Sequence, residues 1–103
     1  MAQQFSYNYE WDPLKAHSNI KKHDVSFEQA STVFLDPLAL SILDHEHSED
    51  EERWVLLGLA EDNLLLVVVH AFTENTNNSN LIRIISARKA TPAERKQYEE
   101  YVQ

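Results

Sequence analysis

Three segments of β-branched and large apolar residues follow one another in the second half of the chain, and they constrain the fold more than any other feature. They span Arg53–Leu59, Leu64–Ala71 and Leu81–Arg88. Four residues between the first two form a hairpin-like turn, and the polar, Asn-rich segment Phe72–Asn80 is typical of a loop. Because consecutive strands joined in this way pair antiparallel, these segments together with Leu38–Leu43 predict a small antiparallel sheet of about four strands.

Three helix-start signals lie outside these segments. Each has a side chain that can accept from first-turn N–H groups, followed by proline or by the Gln or Glu of a capping box. A short aromatic strand containing Phe5, Tyr7 and Tyr9 precedes the first of them. The element order therefore predicts an α+β domain with its helices packed on one face of the sheet. The predicted helices run from Pro13 to about Lys22, from Phe27 to about Phe34, and from Pro92 to about Gln103.

Length and composition narrow the class of protein. A chain of 103 residues predicts one domain, spanning residues 1–103. There is no cysteine, so neither a disulfide framework nor a thiolate nucleophile is available. The longest apolar run, Leu64–Val69, is too short to cross a membrane, and the first residues do not resemble a signal peptide. We therefore expect a cytoplasmic protein without a membrane partner.

The charge balance argues against a general nucleic-acid-binding surface. The formal net charge is -8, whereas phosphate binding depends on basic patches. The charge is unevenly distributed, however, because acids concentrate in His45–Glu52 and bases in Arg83–Lys96. A local basic site within an acidic average therefore stays possible.

The first predicted helix presents a polar face. Lys15, Asn19 and Lys22 are spaced so that they share this face, and Ala16 and Ile20 lie on a different stripe that suits the core. The polar face is either simply solvated or contacts a phosphate or a partner.

His23 follows this face at the end of the helix. A histidine is the usual side chain for proton transfer near neutral pH, so His23 is a candidate acid or base. The alternative is a role at the helix C-terminus, where a cation interacts favourably with the helix dipole.

A second pair of histidines, His45 and His47, could bind a metal, because alternate residues of a strand lie on one side. No third ligand stands at a fixed spacing, and the surrounding sequence is also typical of a solvated turn.

Basic residues gather where the last predicted strand meets the last helix. Arg83, Arg88 and Lys89 lie at or just after this strand, and Arg53 opens an earlier one. The arginine fork and a helix N-terminus both suit phosphate. In a regular strand Arg83 and Arg88 lie on opposite faces, so they converge only if a bulge or a strong twist intervenes. The alternative is that they are ordinary charges at the edge of a sheet.

Several motifs in the same order and spacing give the chain a specific resemblance. The sequence resembles the BrnT family of bacterial toxins over most of its length. The residues that carry the resemblance are Tyr9–Pro13, Lys15, Asn19, Lys22–His23, Val25–Glu28, Ala30, Val33–Phe34, Asp36–Pro37, Asp44–Trp54, Ile82–Ala90, Glu94–Arg95 and Tyr98–Glu99.

The resemblance implies a RelE-like fold and the toxin of a type II toxin-antitoxin system. It implies an endoribonuclease that inhibits translation, needs neither metal nor other cofactor, and takes RNA as substrate. The implied partner is a small DNA-binding antitoxin of the BrnA type, through which alone the toxin reaches operator DNA.

Residue chemistry and motif position together assign candidate roles. We expect Arg83 and Arg88 to stabilise the phosphate, with Arg53 or Lys89 assisting. His23 is the candidate for proton transfer and Glu52 is the weaker alternative, since RNA cleavage without a metal needs cations, a base and an acid. Lys15, Lys22 and Lys89 are candidate RNA-binding residues, and no metal ligand is assigned. Two alternatives stay open: an inactive homologue that binds the antitoxin and regulates the operon, and a metal-dependent enzyme that uses His45 and His47.

Overall fold

The computed structural model describes residues 7–47, 51–74 and 80–101. A five-stranded sheet has the order β1-β5-β4-β3-β2. Strand β1 runs parallel to β5, and the other neighbours are antiparallel. The elements are β1 (Tyr7–Glu10), α1 (Pro13–His23), α2 (Phe27–Thr32), β2 (Leu40–Asp44), β3 (Arg53–Leu59), β4 (Leu65–Glu74), β5 (Asn80–Lys89) and α3 (Pro92–Tyr101), with 3-10 turns at Val33–Leu35 and His45–His47.

The α+β prediction is confirmed, with three differences. The sheet has five strands rather than about four, and it is mixed, because β1 pairs with β5 in parallel. The expectation that all helices pack on one face is wrong. Helices α1 and α2 belong to one side of the sheet, while α3 buries Tyr98 against Leu57, Leu65 and Val67 on the other. We refer to these sides as the α1/α2 face and the α3 face.

The larger core lies on the α1/α2 face. Alternate strand residues Leu56, Val68 and Ala87 are cross-strand neighbours there, and helix α2 adds Phe27 and Ala30 to the same cluster. Helix α2 begins as predicted: the Ser26 hydroxyl accepts from the N–H of Gln29, and the Gln29 side chain accepts from the N–H of Ser26. This capping box sets where α2 begins and therefore which side chains it buries.

Asn19 on α1 is part of the fold rather than of a solvated or phosphate-binding face. Among the described residues, β1 pairs with residues 80–83 of β5. The backbone groups of the later residues of β5 on this side need other hydrogen-bond partners. The Asn19 amide supplies one: Nδ2 donates to the carbonyl of Ala87 at 2.8 Å, and the N–H of Ala87 donates to Oδ1 at 3.1 Å. The stripe expected to face the core is also corrected, because Ile20 is 45% exposed and Asn19 only 6%.

Helix α3 is held at both ends by polar contacts. Near its start, Arg88 and Glu94 form a bidentate ion pair. Further along, the Tyr98 hydroxyl donates to Oδ2 of Asp36 at 2.7 Å, and the N–H of Leu59 donates to the same oxygen. Burial and the neighbouring Asp36 carboxylate raise the pKa of Tyr98 to about 12. These contacts attach α3 across one end of the sheet and leave the other end of the α3 face to the strands.

The predicted element boundaries are close to those observed. Residues 72–74 belong to β4 and Asn80 to β5, so the loop expected over Phe72–Asn80 is wrong at both ends. Its middle, residues 75–79, lies outside the described residues, as do Phe5 and the expected last two residues of α3. The single-domain assignment stays a prediction. None of the helices in the described ranges has the length and apolar character needed to cross a membrane.

Candidate functional site

A bulge in β5 brings Arg83 and Arg88 to the same face of the sheet. Val69 pairs with Ser86, but the next residue of β4, His70, pairs with Ile84, so one residue of β5 is extra at this point. The insertion shifts the alternation of side chains by one. The buried residues of β5 on the α1/α2 face accordingly fall at positions 82, 84 and 87, and both arginines lie on the α3 face.

Arg53 shares this face and lies in register with Arg83. Both pair with Ala71 of the intervening strand β4, Arg53 from β3 and Arg83 from β5. The side chain of Ala71 is fully buried, and both arginines are half-buried. At ~4.8 Å per strand their Cα atoms are about 10 Å apart, a span that two long guanidinium side chains can close around one phosphate. We refer to Arg53, Ala71 and Arg83 as the arginine row.

Carboxylates surround the arginine row. Asp44 is the partner of Arg53 in β2, and Glu10 is the partner of Arg83 in β1. Glu51, just ahead of β3, forms an ion pair with Arg83 in which both side chains are about one-third exposed or more. The local charge is therefore balanced rather than strongly positive, which fits the acidic average of the chain.

Arg88 lies on the same face but is bound to α3. It pairs with Val67 of β4, which lies four residues before Ala71. At ~3.3 Å per residue, Arg88 is therefore about 13 Å from the arginine row. Its guanidinium donates to both carboxylate oxygens of Glu94 at 2.8 and 2.9 Å. The hydrogen bonds from Arg88 lower the pKa of Glu94 to about 2, and Glu94 raises the pKa of Arg88. This contact anchors α3, so a phosphate at Arg88 would compete with it.

His23 lies away from Arg53 and Arg83. It is exposed at the C-terminal end of α1, on the side of the sheet opposite the arginine row. Asp24 follows in the left-handed conformation, with φ 56°, and its N–H bonds to the carbonyl of Ile20. The separation from Arg53 and Arg83 follows from the length of β5, because α1 ends beside Lys89, which pairs with Leu66, whereas Arg83 pairs with Ala71 five residues further along β4.

Lys22 and Lys89, two of the three lysines predicted to bind RNA, lie away from the arginine row. Lys15 and Lys22 are exposed on α1. Lys89 is the neighbour of Leu66 on the α1/α2 face, and its Nζ lies 3.9 Å from a carboxylate oxygen of Asp24. The candidate residues thus form two groups: the arginines on the α3 face, and the lysines with His23 around α1.

The basis for a metal site at His45 and His47 does not hold. These residues form a 3-10 turn rather than a strand, so alternation does not place their rings together. The side chain of His47 and residues 48–50 lie outside the described part of the chain. Within that part, no group of three His, Asp or Glu side chains could hold a metal ion.

Four carboxylates at the site were not singled out from the sequence as functional groups: Glu10, Asp44, Glu51 and Glu94. Glu51 lies within an acidic run in which nothing distinguishes it from its neighbours. Glu94 was recognised only as part of the α3 capping box, where it also accepts from the N–H of Thr91 at 2.8 Å. Its position six residues after Arg88 was the available signal for the ion pair, since a strand end and a following helix start lie close together.

Comparison with a solved structure defines the class of the fold. The chain is similar to the ribonuclease toxin BrnT of Brucella abortus, known from a 1.1 Å crystal structure, with a TM-score of 0.58 and 18% sequence identity. The match covers 84% of this chain and 99% of the other. At this identity the similarity shows the fold.

A family model then identifies the chain more closely. The model described as "Ribonuclease toxin, BrnT, of type II toxin-antitoxin system" matches residues 11–94. The chain therefore belongs to the BrnT family of ribonuclease toxins, as its sequence motifs indicated, and a type II toxin implies an antitoxin partner. A comparison with curated proteins gives no match.

Proposed function

We propose that this chain is a metal-independent endoribonuclease that inhibits translation in the cytoplasm and is neutralised by an antitoxin of the BrnA type. The observation that carries the proposal is the arginine row: Arg53 and Arg83 flank the small residue Ala71 on one face of the sheet. Family membership supplies the reaction class, and the row supplies cations where a phosphate can be held. Operator DNA is contacted only through the antitoxin.

The chemistry requires three kinds of group. A base removes the proton of the 2′-hydroxyl, whose oxygen attacks the adjacent phosphorus, and an acid returns a proton to the departing 5′-oxygen. Negative charge develops on the phosphoryl oxygens, and cations fixed in place stabilise it. Arg53 and Arg83 suit this last role because each offers several N–H donors in a planar fork. A substrate on the α3 face would reach Arg88 only by displacing Glu94.

Proton transfer then falls to groups near the row, since His23 lies on the other side of the sheet. Glu10 is exposed and is the register partner of Arg83, so we propose it as the base. A general base contributes about 10²–10⁴-fold to the rate. Glu10→Gln should therefore lower the cleavage rate by about 100-fold or more if Glu10 is the base, whereas His23→Gln should leave it nearly unchanged.

A matched pair of variants tests the proposed site. Arg83→Ala should lower the cleavage of a short RNA by about 100-fold or more, because it removes a charge that stabilises the transition state. His23→Ala should stay within about three-fold of the wild type. Both are measured on purified, folded protein freed from the antitoxin, with and without a chelator. A large loss with His23→Ala, and none with Arg83→Ala, would place the site around α1, and inactivation by the chelator would contradict metal independence.

A second candidate function is an inactive homologue that binds the antitoxin and regulates the operon. The observation that favours it is that carboxylates already occupy Arg83 and Arg88. This candidate predicts that folded wild-type protein neither cleaves RNA nor arrests growth on induction, yet still forms a complex with the antitoxin.

A further inference from the structure

The sheet has two edge strands, and within the described residues each has one strand neighbour: β1 pairs with β5, and β2 pairs with β3. Beyond the end of β1, the Asn19 amide pairs with the backbone groups of Ala87 in β5. An edge strand presents a row of backbone donors and acceptors that can pair with another chain.

Natural edge strands discourage pairing by being short or by carrying charges, proline or a bulge. Strand β2 is five residues long and ends in a carboxylate, but Leu40–Asp44 carries no lysine, proline or bulge. Ser41 and Ile42 are exposed, and Ile42 is 57% exposed although it is a large apolar residue. An extended segment of another protein could therefore add to β2 as a sixth strand.

A small apolar hollow lies beside Ile42 on the α3 face. It has a volume of about 70 Å³, and Leu40, Val55 and Val67 line it together with Glu94 and Gln97 of α3. Every second side chain of an added strand would face the α3 side, since alternate residues of a strand share a face, and one of them would lie against this hollow. The hollow thus adds side-chain selectivity to backbone pairing, as in other complexes formed by strand addition.

Charge decides between possible occupants. Asp44 ends β2 and Glu46 is exposed just beyond it, while β2 itself carries no basic residue. Pairing of β2 with a second copy would bring together two chains that each carry a net charge of -8, which is unfavourable. A segment with alternating aliphatic and basic residues would complement both features, because its aliphatic side chains suit the apolar hollow and its basic side chains suit the carboxylates at the end of β2.

We infer that β2 is the docking edge for the antitoxin, which adds an extended apolar and basic segment to it as a sixth strand. The inference rests on the proposed function, because it takes the antitoxin as the partner. It places the partner beside α3, next to the arginine row, so that binding at the edge can also restrict access to the α3 face.

Hydrogen exchange and two matched variants test the inference. The amides of residues 40–44 should exchange at least ten-fold more slowly in the complex with the antitoxin of the same operon than in the free chain. Ile42→Lys should weaken binding at least ten-fold, because it puts a charge at the hollow. Ser41→Lys makes the same charge change on the opposite face of the same strand and should change the affinity less than about three-fold.

The outcomes separate this inference from the proposed function. A complex in which β2 exchanges as in the free chain, or in which Ile42→Lys binds like the wild type, overturns the inference alone. Protection of β2 in the free chain together with a dimer in light scattering assigns the edge to a second copy, and also overturns it. Absence of any complex contradicts the antitoxin partner itself, and the docking edge with it.

Discussion

The ion pair between Glu51 and Arg83 determines what an incoming phosphate must displace. Glu51→Gln removes the competing carboxylate, so we expect an RNA oligonucleotide to bind about three- to ten-fold more tightly. Glu52→Gln is the control, because it makes the same charge change at an exposed neighbouring position. Binding is measured with an RNA carrying 2′-O-methyl groups, which cannot be cleaved. If Glu51→Gln instead lowers the cleavage rate of ordinary RNA and Glu52→Gln does not, Glu51 takes part in proton transfer.

His70 makes folding depend on pH. It is 1% exposed and lies edge-on to Phe34 and Phe72, at ring-centroid distances of 4.7 and 5.1 Å. Burial lowers the pKa of His70 below its usual value of 6.5. The unfolded chain therefore takes up a proton at a higher pH than the folded chain, and the stabilisation present above pH 6.5 is lost as the pH falls toward the folded pKa.

The dependence can be measured from urea unfolding between pH 7.5 and pH 5. We expect the free energy of unfolding to fall over this range and the slope to become shallower in His70→Gln. His17→Gln on the exposed surface of α1 should keep the wild-type slope. An equal slope in wild type and His70→Gln would mean that the pKa of His70 does not differ between the folded and the unfolded chain, and would contradict the prediction.

Among the elements, the packing of β3 against the segment between α2 and β2 depends on Gly58. A Cβ added to Gly58 would lie 2.8 Å from Cβ of Ala39 and 2.9 Å from Cγ1 of Val33. Both neighbours belong to the segment between α2 and β2, which therefore packs directly on the β3 backbone. We expect Gly58→Ala to lower the free energy of unfolding by about 1–3 kcal/mol through overpacking. Chemical denaturation measures the change, with the exposed Ser41→Ala as control; equal stability of the two variants would show that this segment moves away at little cost.

Local sequence signals predicted the helices. The pairing of β1 and the burial of Asn19 depend on residues far apart in the sequence, so local signals could not predict them. Caps at Asp12, Ser26 and Thr91 fix helix starts through contacts within one turn, so these helices begin where they were expected. The parallel pairing of β1 with β5 joins residues about 70 positions apart, so no local sequence pattern predicts it. The burial of Asn19 has the same origin, because its partner Ala87 is equally distant in the sequence.

The bulge in β5 could be predicted only in part from the sequence. Two adjacent isoleucines, Ile84 and Ile85, interrupt the alternation of the strand, and this was the available signal. The sequence shows that the two arginines share a face only if a bulge intervenes, and the structure provides the bulge. The roles of Arg53, Arg83, Arg88 and His23 in catalysis stay predictions, since geometry defines which groups can act together but not which of them do.

For the whole molecule, the acidic average limits how RNA can bind. With a net charge of -8, long-range attraction does not draw RNA to the surface, and binding depends on a few local contacts. The described residues offer two alternatives for these contacts: the arginine row on the α3 face, and the lysines around α1. Each phosphate contact to a single strand contributes about 0.7 to the slope of log K against log salt concentration, so the slope counts the contacts.

Salt dependence therefore distinguishes the two surfaces. If Arg53 and Arg83 bind one phosphate between them, that contact contributes about 0.7 to the magnitude of the slope, and Arg83→Ala should reduce the magnitude by up to about 0.7. Lys22→Ala removes the same charge from α1 and should leave the slope unchanged. The measurement is a titration of 2′-O-methyl RNA at several salt concentrations, with the folded state of each variant checked by circular dichroism. A slope whose magnitude falls with Lys22→Ala but not with Arg83→Ala would show that RNA binds around α1, near Lys15, Lys22 and Lys89. His23 would then again be the candidate for proton transfer.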